Sequence, residues 1–208
     1  MLGLIIKDLL VCKKSLRTIL LLVAVFMVFS VTTDDNTFVM FITSIYFTMM
    51  VLTAFAYDAQ AKWDAYGLTM PITRSETVLA KYLLGLVLSL LGAVLSLILT
   101  FGVMVYKQEA FITGQILLMQ LAMLGAALMM MSIFIPLIYR FGVEKARLVM
   151  IAVFVLPSVL LLFFSKSGLP TPDDNVLRIL ATLSPFFVVG VVVMSYLISV
   201  RIFTKKEL

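Results

Sequence analysis

The sequence contains no histidine and a single cysteine, Cys12, and only 13% of its 208 residues are charged. Without histidine, and with one thiol, the chain cannot supply the usual ligand sets of zinc, haem or iron–sulfur centres, nor a Ser–His or Cys–His nucleophile pair. An internal disulfide is excluded as well. Soluble domains carry about 25% charged residues. This chain therefore has too few charges to cover the surface of a compact soluble domain.

Apolar residues make up 63% of the chain and fall into six runs near the roughly 20 residues that a helix needs to cross a bilayer. The connections between the runs are short, so no room is left for a folded soluble domain. The sequence predicts an all-α integral membrane protein that forms one domain over residues 1–208. The predicted membrane helices cover residues 16–32, 37–57, 78–106, 111–139, 148–165 and 179–200.

Capping residues mark the ends of several of these helices. Thr73 and Glu76 have the spacing of a capping box, which predicts that the third membrane helix starts there. Gly67 suits a helix C-terminus, so we expect the second helix to continue past the membrane to about Tyr66. Pro185 either lies within the sixth helix or separates a short helix from it. Predicted N-caps precede the second and sixth helices, at Asp34, Asp35, Asn36, Asp173, Asp174 and Asn175.

Lysine and arginine are distributed unevenly along the chain. Thirteen of the 16 lie at the two termini and in the connections after the second and fourth membrane helices. Cytoplasmic loops carry such an excess of basic residues. We therefore expect both termini to be cytoplasmic.

Residues 1–15 are expected to form an amphipathic helix on the cytoplasmic leaflet. Leu2, Ile5, Leu9, Cys12 and Leu16 recur at helical spacing and would face lipid, while the lysines beside them would face anionic headgroups. The alternative is that this segment is simply the start of the first membrane helix. No small-residue cleavage pattern follows it, so a cleaved signal peptide is not predicted.

The interiors of the predicted spans carry no charge away from their ends. Lys81 and Arg178 lie close enough to an end to reach the headgroup layer. The nucleotide-binding pattern G-x-x-x-x-G-K-[ST] does not occur, so a chain that moves cargo uphill would need its energy from another subunit. The mild polar residues are expected to hydrogen-bond within or between helices; they are Ser44, Thr48, Ser89, Ser96, Thr100, Gln120, Ser132 and Ser158.

The longest segment predicted to lie in water runs from Asp58 to Tyr82 and reads DAQAKWDAYGLTMPITRSETVLAKY. It combines the aromatic pair Trp63 and Tyr66 with charges of both signs and a turn. Aromatic side chains within a polar rim are typical of a protein docking surface. The same pair would also suit a loop lying at headgroup depth. Composition alone leaves both interpretations open.

The order of residues in this segment follows W-x-x-Y-x-L-x-x-P-[IV]-[ST]-R and then a K-Y pair. It resembles the cytoplasmic loop of ABC transporter permeases of the type-2 exporter class, in particular the small six-span bacterial members. The strings at residues 141–147 and 195–208 are similar to the second cytoplasmic turn and the tail of that subgroup. The residues that carry the first pattern are Trp63, Tyr66, Leu68, Pro71, Ile72, Thr73, Arg74, Lys81 and Tyr82.

The resemblance implies a permease in the bacterial plasma membrane that pairs with a second permease subunit, either an identical copy or a sister chain. It also implies two cytosolic ATPase subunits, which would hold ATP and Mg²⁺. Amphipathic or antimicrobial peptides are prominent cargoes of the subgroup. A coupling helix between spans 2 and 3 would dock on the ATPase, and the implied contact residues are Trp63, Asp64, Tyr66, Gly67, Pro71 and Arg74.

Three hypotheses of function follow. The first is the membrane half of an ATP-driven exporter of peptides or other hydrophobic cargo, without a catalytic residue, metal site or nucleic-acid partner of its own. The second is a non-transporting scaffold or sensor that docks a soluble partner through the same loop. The third, an intramembrane enzyme, is disfavoured because the chain lacks histidine and paired buried carboxylates. Cys12 is expected to face lipid rather than act as a nucleophile.

Overall fold

The computed structural model describes residues 2–32, 37–67, 69, 71–108, 113–149, 152 and 174–205. Within these ranges the chain is helical apart from short turns, and no strand is present, so the all-α prediction is confirmed there. Residues 143–149 are also helical. The helices with two defined ends are α1 (Leu2–Lys14), α2 (Leu16–Thr32), α3 (Thr37–Gln60), α4 (Trp63–Gly67), α5 (Arg74–Lys107), α6 (Thr113–Phe141) and α7 (Asp174–Thr204).

Four of these helices, α3, α5, α6 and α7, are long and apolar enough to cross a membrane. They contain the second, third, fourth and sixth predicted spans. The pair α1 and α2, bent by 58° at its break, is a fifth candidate. The fifth predicted span, residues 148–165, lies almost wholly outside the described residues. Six spans per chain therefore remain a prediction.

Two details of the helix ends differ in how well the sequence predicted them. Pro185 lies inside α7, which begins at Asp174, so the alternative of a separate short helix before the sixth span is wrong. A proline within a membrane helix is tolerated because neighbouring groups satisfy the freed carbonyl. The predicted N-caps at Asp34, Asp35, Asn36 and Asp173 lie outside the described residues.

The start of α5 is where the capping box predicted it. The Thr73 side chain accepts a hydrogen bond from the backbone N–H of Glu76, and the Glu76 carboxylate accepts one from the backbone N–H of Thr73. These reciprocal bonds satisfy two of the donors that a helix start leaves without partners. At the other end, Gln108 closes α5 in a left-handed conformation and donates to the carbonyls of Met104 and Val105.

The second predicted helix ends earlier than expected. It was predicted to continue to about Tyr66, but α3 stops at Gln60 and a separate helix, α4, follows. Between them Lys62 has a positive φ of 50°, which costs a residue with a side chain about 1–2 kcal/mol and ends a right-handed helix. The break lets Trp63 lie against Lys7 of α1, whose Nζ is 4.1 Å from the ring centroid. A contact with a distant helix thus overrides the local pattern.

The core lies between α3, α5, α6 and α7. The most extensive contact joins α3 to α5, and α6 packs on α7. Gly92 permits the close approach of α3 and α5, since a Cβ added there would lie 2.6 Å from the Cβ of Phe47. Packing at this distance compensates for the absence of a hydrophobic drive between helices in lipid.

α1 packs against both α3 and α5. Its buried face consists of Leu4, Asp8 and Cys12, at a spacing of four residues. The expectation that Cys12 faces lipid is wrong, because its side chain is only 2% exposed and its Sγ points at the carbonyl oxygen of Met50. The predicted lipid stripe was displaced around the helix because Asp8 turns inward to reach cationic partners.

Candidate functional site

The segment Asp58–Tyr82, here named the elbow, comprises the end of α3, the short helix α4, a turn and the start of α5. Trp63 and Tyr66 lie one helical turn apart on α4, with ring centroids 5.6 Å apart and planes tilted by 55°. Tyr66 is 57% exposed. Gly67 packs against the indole, where an added Cβ would lie 3.3 Å from Nε1 of Trp63. The elbow therefore presents an aromatic surface supported from beneath by its own backbone.

The remaining predicted contact residues have different surroundings. Pro71 is exposed in the turn. The side chain of Asp64 lies outside the described residues, as do Leu68 and Met70. Arg74 is engaged within the chain: its Nη1 donates to the carbonyl oxygens of Phe203 at 2.9 Å and Thr204 at 2.7 Å. A guanidinium placed there caps the C-terminus of α7 and favours its negative dipole end.

Beneath the elbow, two lysines and two aspartates form a closed ring of alternating charge, here named the charge ring. Lys7 Nζ lies 2.6 Å from Oδ1 of Asp58, and Lys81 Nζ lies 2.6 Å from Oδ2 of the same residue. Lys81 Nζ also lies 2.8 Å from Oδ2 of Asp8, and Lys7 Nζ lies 3.2 Å from Oδ1 of Asp8. Each cation thus contacts both anions, and the four charges cancel.

The charge ring corrects two expectations. Lys81 does not extend to the headgroup layer, since its side chain is 5% exposed and both of its ion pairs are buried. Paired buried carboxylates do exist, at Asp8 and Asp58. Each of them is bonded to two ammonium groups, an arrangement that holds a carboxylate ionised and does not leave it available for acid–base chemistry. The reason sequence inspection missed the ring is distance along the chain, because Lys81 and Asp8 are 73 residues apart.

Aromatic rings cover the charge ring on two sides. Lys7 Nζ lies 4.1 Å from the centroid of Trp63, and Lys81 Nζ lies 5.0 Å from that of Phe55. Both distances are within the range of a cation–π interaction. Through Lys7, therefore, one ammonium group touches α1, the carboxylate of α3 and the aromatic surface of the elbow.

Hydroxyl groups connect the helices deeper in the bundle. The Tyr82 hydroxyl of α5 hydrogen-bonds to Ser195 and Ser199 of α7, and Ser195 donates to the carbonyl of Ser132 in α6. The predicted bonding of mild polar residues is confirmed here. It is also confirmed in a second group, where Ser96 donates to Oε1 of Gln120 at 2.8 Å and Nε2 of Gln120 donates to Ser44 at 3.1 Å.

The thiol of Cys12 lies one turn along α1 from Asp8, outside the four helices that are long enough to span a membrane. Burial raises its pKa to about 11, and the nearby Asp8 carboxylate adds to the increase while Lys81 opposes it. A protonated, enclosed thiol is a poor nucleophile. No group of three or more His, Cys, Asp or Glu side chains within the described ranges is placed to hold a metal ion.

An apolar cavity of about 320 Å³ lies between α5, α6 and α7. Tyr82 and Tyr196 border it, and their rings meet edge to face with centroids 5.7 Å apart. The rest of its lining is aliphatic or methionine. It is lined by Leu79, Tyr82, Leu83, Leu86, Leu128, Met131, Val188, Val189, Val192, Val193 and Tyr196.

Comparison with known proteins gives one family. A family model described as ABC-2 family transporter protein matches residues 3–204. No curated protein and no solved structure matches the chain. The matched region contains α1, the elbow, the charge ring and the whole of α7.

Proposed function

The chain belongs to the ABC-2 family of transporter proteins, and from this membership we propose that it is an exporter permease driven through the elbow. Members of this family are the transmembrane components of ABC transporters, and the ATPase resides on a partner subunit. The proposal concerns where that partner docks, how its motion reaches the bundle, what is moved and in which direction.

The observation that carries the proposal is the exposed aromatic surface of α4. Tyr66 is more than half exposed beside Trp63, and Pro71 is exposed in the turn that follows. Aromatic residues on a rigid support are the residue types that dominate the energetics of protein interfaces. We take α4 as the coupling helix, with Trp63, Asp64, Tyr66, Gly67 and Pro71 at or near the ATPase contact.

Polar contacts would carry movement of the elbow into the bundle. Arg74 bonds the elbow to the C-terminus of α7, and Lys7 bonds Trp63 to α1 and α3. The charge ring adds α5 through Lys81. ATP and Mg²⁺ bound by two ATPase subunits would bring those subunits together, displace two elbows, and shift a pair of permeases, identical or sister chains, from inward to outward access.

The proposed cargo is an amphipathic or antimicrobial peptide, or another hydrophobic molecule, exported across a bacterial plasma membrane with both permease termini in the cytoplasm. The resemblance of the elbow to peptide exporters supports this class. The apolar cavity between α5, α6 and α7 supports it too, because apolar lining suits apolar side chains or acyl chains.

The test compares two exposed tyrosines at opposite ends of α5. Tyr66→Ala removes the elbow aromatic, and Tyr106→Ala removes one that is 75% exposed near the other end of the helix. If Tyr66 is a central interface residue, its truncation should cost about 2 kcal/mol, or roughly thirtyfold in affinity for the purified ATPase subunit. Tyr106→Ala should bind as the unmodified permease does. Arg74 is a poorer choice because its removal would also uncap α7.

The same variants separate the exporter from a scaffold. In inverted vesicles that contain the permease and its ATPase, an exporter takes up an amphipathic test peptide and the peptide stimulates ATP hydrolysis. Tyr66→Ala should abolish both responses. A scaffold would bind its partner through the elbow without either response, and equal binding by the Tyr66 and Tyr106 variants would remove α4 from the interface.

A further inference from the structure

The outward side of α1 is apolar. Leu2, Ile6 and Leu10 are 77%, 54% and 58% exposed and recur every four residues, opposite the buried face that contains Asp8. A helix with one face bonded to the protein and an apolar stripe on the other lies with that stripe against the acyl chains near the membrane surface. This stripe is not the one predicted from the sequence, which placed Cys12 outward.

Cations follow the stripe where α1 gives way to α2. Lys13, Lys14 and Arg17 are exposed there, at the bend of 58°. None of the three forms an ion pair with a described carboxylate. Lys14 Nζ lies 6.0 Å from the ring centroid of Tyr57, a contact that leaves its charge uncompensated. These three residues are named the basic turn.

The charge ring is what leaves the basic turn without a local anion. Asp8 is the only acidic residue between positions 2 and 17, and it is 1% exposed because it faces Lys81. The single negative charge of α1 is thus used in the interior, and the exposed part of the helix carries positive charge alone. Such a surface complements anionic headgroups.

The charge ring also bonds α1 to both sides of the elbow. Asp58 lies at the end of α3, just before the break, and Lys81 lies two turns into α5. Lys7 and Asp8 of α1 contact both residues, and Lys7 contacts Trp63 as well. A displacement of α1 relative to the elbow would therefore have to separate buried ion pairs.

We propose that the basic turn binds anionic phospholipid headgroups, and that the charge ring transmits this binding to the elbow, so that anionic lipid strengthens coupling to the ATPase. The lipid site stands on the geometry of α1 alone. The effect on coupling rests on the function proposed above. Both parts follow from one arrangement, a lipid-facing helix bonded to the two limbs of the docking element.

The first experiment measures lipid binding without any ATPase. The full-length permease is placed in nanodiscs of phosphatidylcholine that contain a trace of fluorescent phosphatidylglycerol, and enrichment at the protein is read by energy transfer. Each cation near an anionic surface contributes about 1 kcal/mol, which is roughly fivefold in binding, and the contribution weakens as salt screens it. The triple variant K13Q/K14Q/R17Q should therefore lose enrichment by up to about a hundredfold.

A matched control removes three cations elsewhere. Arg140, Lys145 and Arg147 are also exposed, next to the turn at Gly142, and R140Q/K145Q/R147Q should leave the enrichment unchanged. Equal losses in the two triple variants would show a response to net charge and would overturn the proposed site. Persistence of the enrichment in K13Q/K14Q/R17Q would overturn it as well.

The second experiment measures coupling in vesicles that contain the permease with its ATPase. Adding phosphatidylglycerol should raise peptide-stimulated hydrolysis for the unmodified protein and not for K13Q/K14Q/R17Q. In D8N/K81M, which removes one anion and one cation from the charge ring, lipid enrichment should persist while the lipid response of hydrolysis is lost. K7Q provides a second variant of the charge ring, because Lys7 is its most exposed member.

Two results distinguish the possible failures. If K13Q/K14Q/R17Q fails to bind the ATPase in detergent, where no anionic lipid is present, the basic turn is an ATPase contact and the lipid proposal is wrong. If no ATPase associates with the unmodified permease, the proposed function fails, and the nanodisc measurement still decides the lipid site. An intact lipid response in both D8N/K81M and K7Q would overturn transmission through the charge ring.

Discussion

Replacing Lys81 with methionine tests whether the charge ring holds α1 to the bundle. The variant leaves the carboxylates of Asp8 and Asp58 with one ammonium group between them. Removing one partner of a buried ion pair costs about 3–5 kcal/mol, because the other is left buried without compensation. Lys7 still contacts both carboxylates, at 3.2 Å and 2.6 Å. We therefore expect the lower end of this range, about 3 kcal/mol of the free energy of unfolding.

The double variant D8N/K81M separates charge imbalance from lost packing. It retains the ion pair of Lys7 with Asp58 and strands no charge, and exchanging buried ion pairs for neutral groups is often close to neutral in stability. We expect it to unfold within about 1 kcal/mol of the unmodified protein, which corresponds to a coupling energy of about 2 kcal/mol or more between the two sites. The measurement is reversible unfolding of the full-length permease in mixed micelles during titration with SDS.

Lys145→Met is the control, since Lys145 is exposed and surface substitutions usually change stability by about 0.5 kcal/mol or less. Equal stabilities of K81M and K145M would refute the reasoning. So would a double variant as unstable as K81M, because the loss would then come from packing and not from the stranded carboxylates.

Two further predictions use single sites. Gly92→Ala should destabilise the bundle by about 1–3 kcal/mol by overpacking, since the new Cβ would lie 2.6 Å from that of Phe47; Gly102→Ala in the same helix, with Met27 Cε 3.8 Å away, should be neutral or stabilising, as SDS titration of the pair would show. Cys12, with a pKa raised to about 11, should react with iodoacetamide far more slowly in the folded protein than in SDS at neutral pH, and the folded rate should keep rising up to about pH 11; equal rates would mean that α1 is not docked.

Local features of the fold were predictable because the interactions responsible for them are local. The capping box of Thr73 and Glu76 spans four residues, and its hydrogen bonds form within one turn. Trp63 and Tyr66 are three residues apart, so any helix there brings their rings together. The long apolar runs predicted α3, α5, α6 and α7 for the same reason, since a helix satisfies its own backbone in lipid.

Other features could not be predicted because they depend on which helices become neighbours. Lys62 carries no signal for a left-handed conformation, and the break there is explained by the contact of Trp63 with Lys7. Arg74 matched a docking motif, yet its guanidinium bonds carbonyl groups some 130 residues away. A residue type at an exposed-looking position does not reveal that a distant helix end needs a donor.

The amino-acid sequence by itself determined that this protein is a helical membrane protein without a nucleotide site in the usual pattern, because apolar length and missing residue types are properties of the chain. The tertiary structure alone decided that Lys7, Asp8, Asp58 and Lys81 meet. Taken singly, each is an ordinary charge near a helix end. Burying such charges is tolerable only when opposite charges lie within about 3 Å, and only the packing of α1 across α3 and α5 provides that distance.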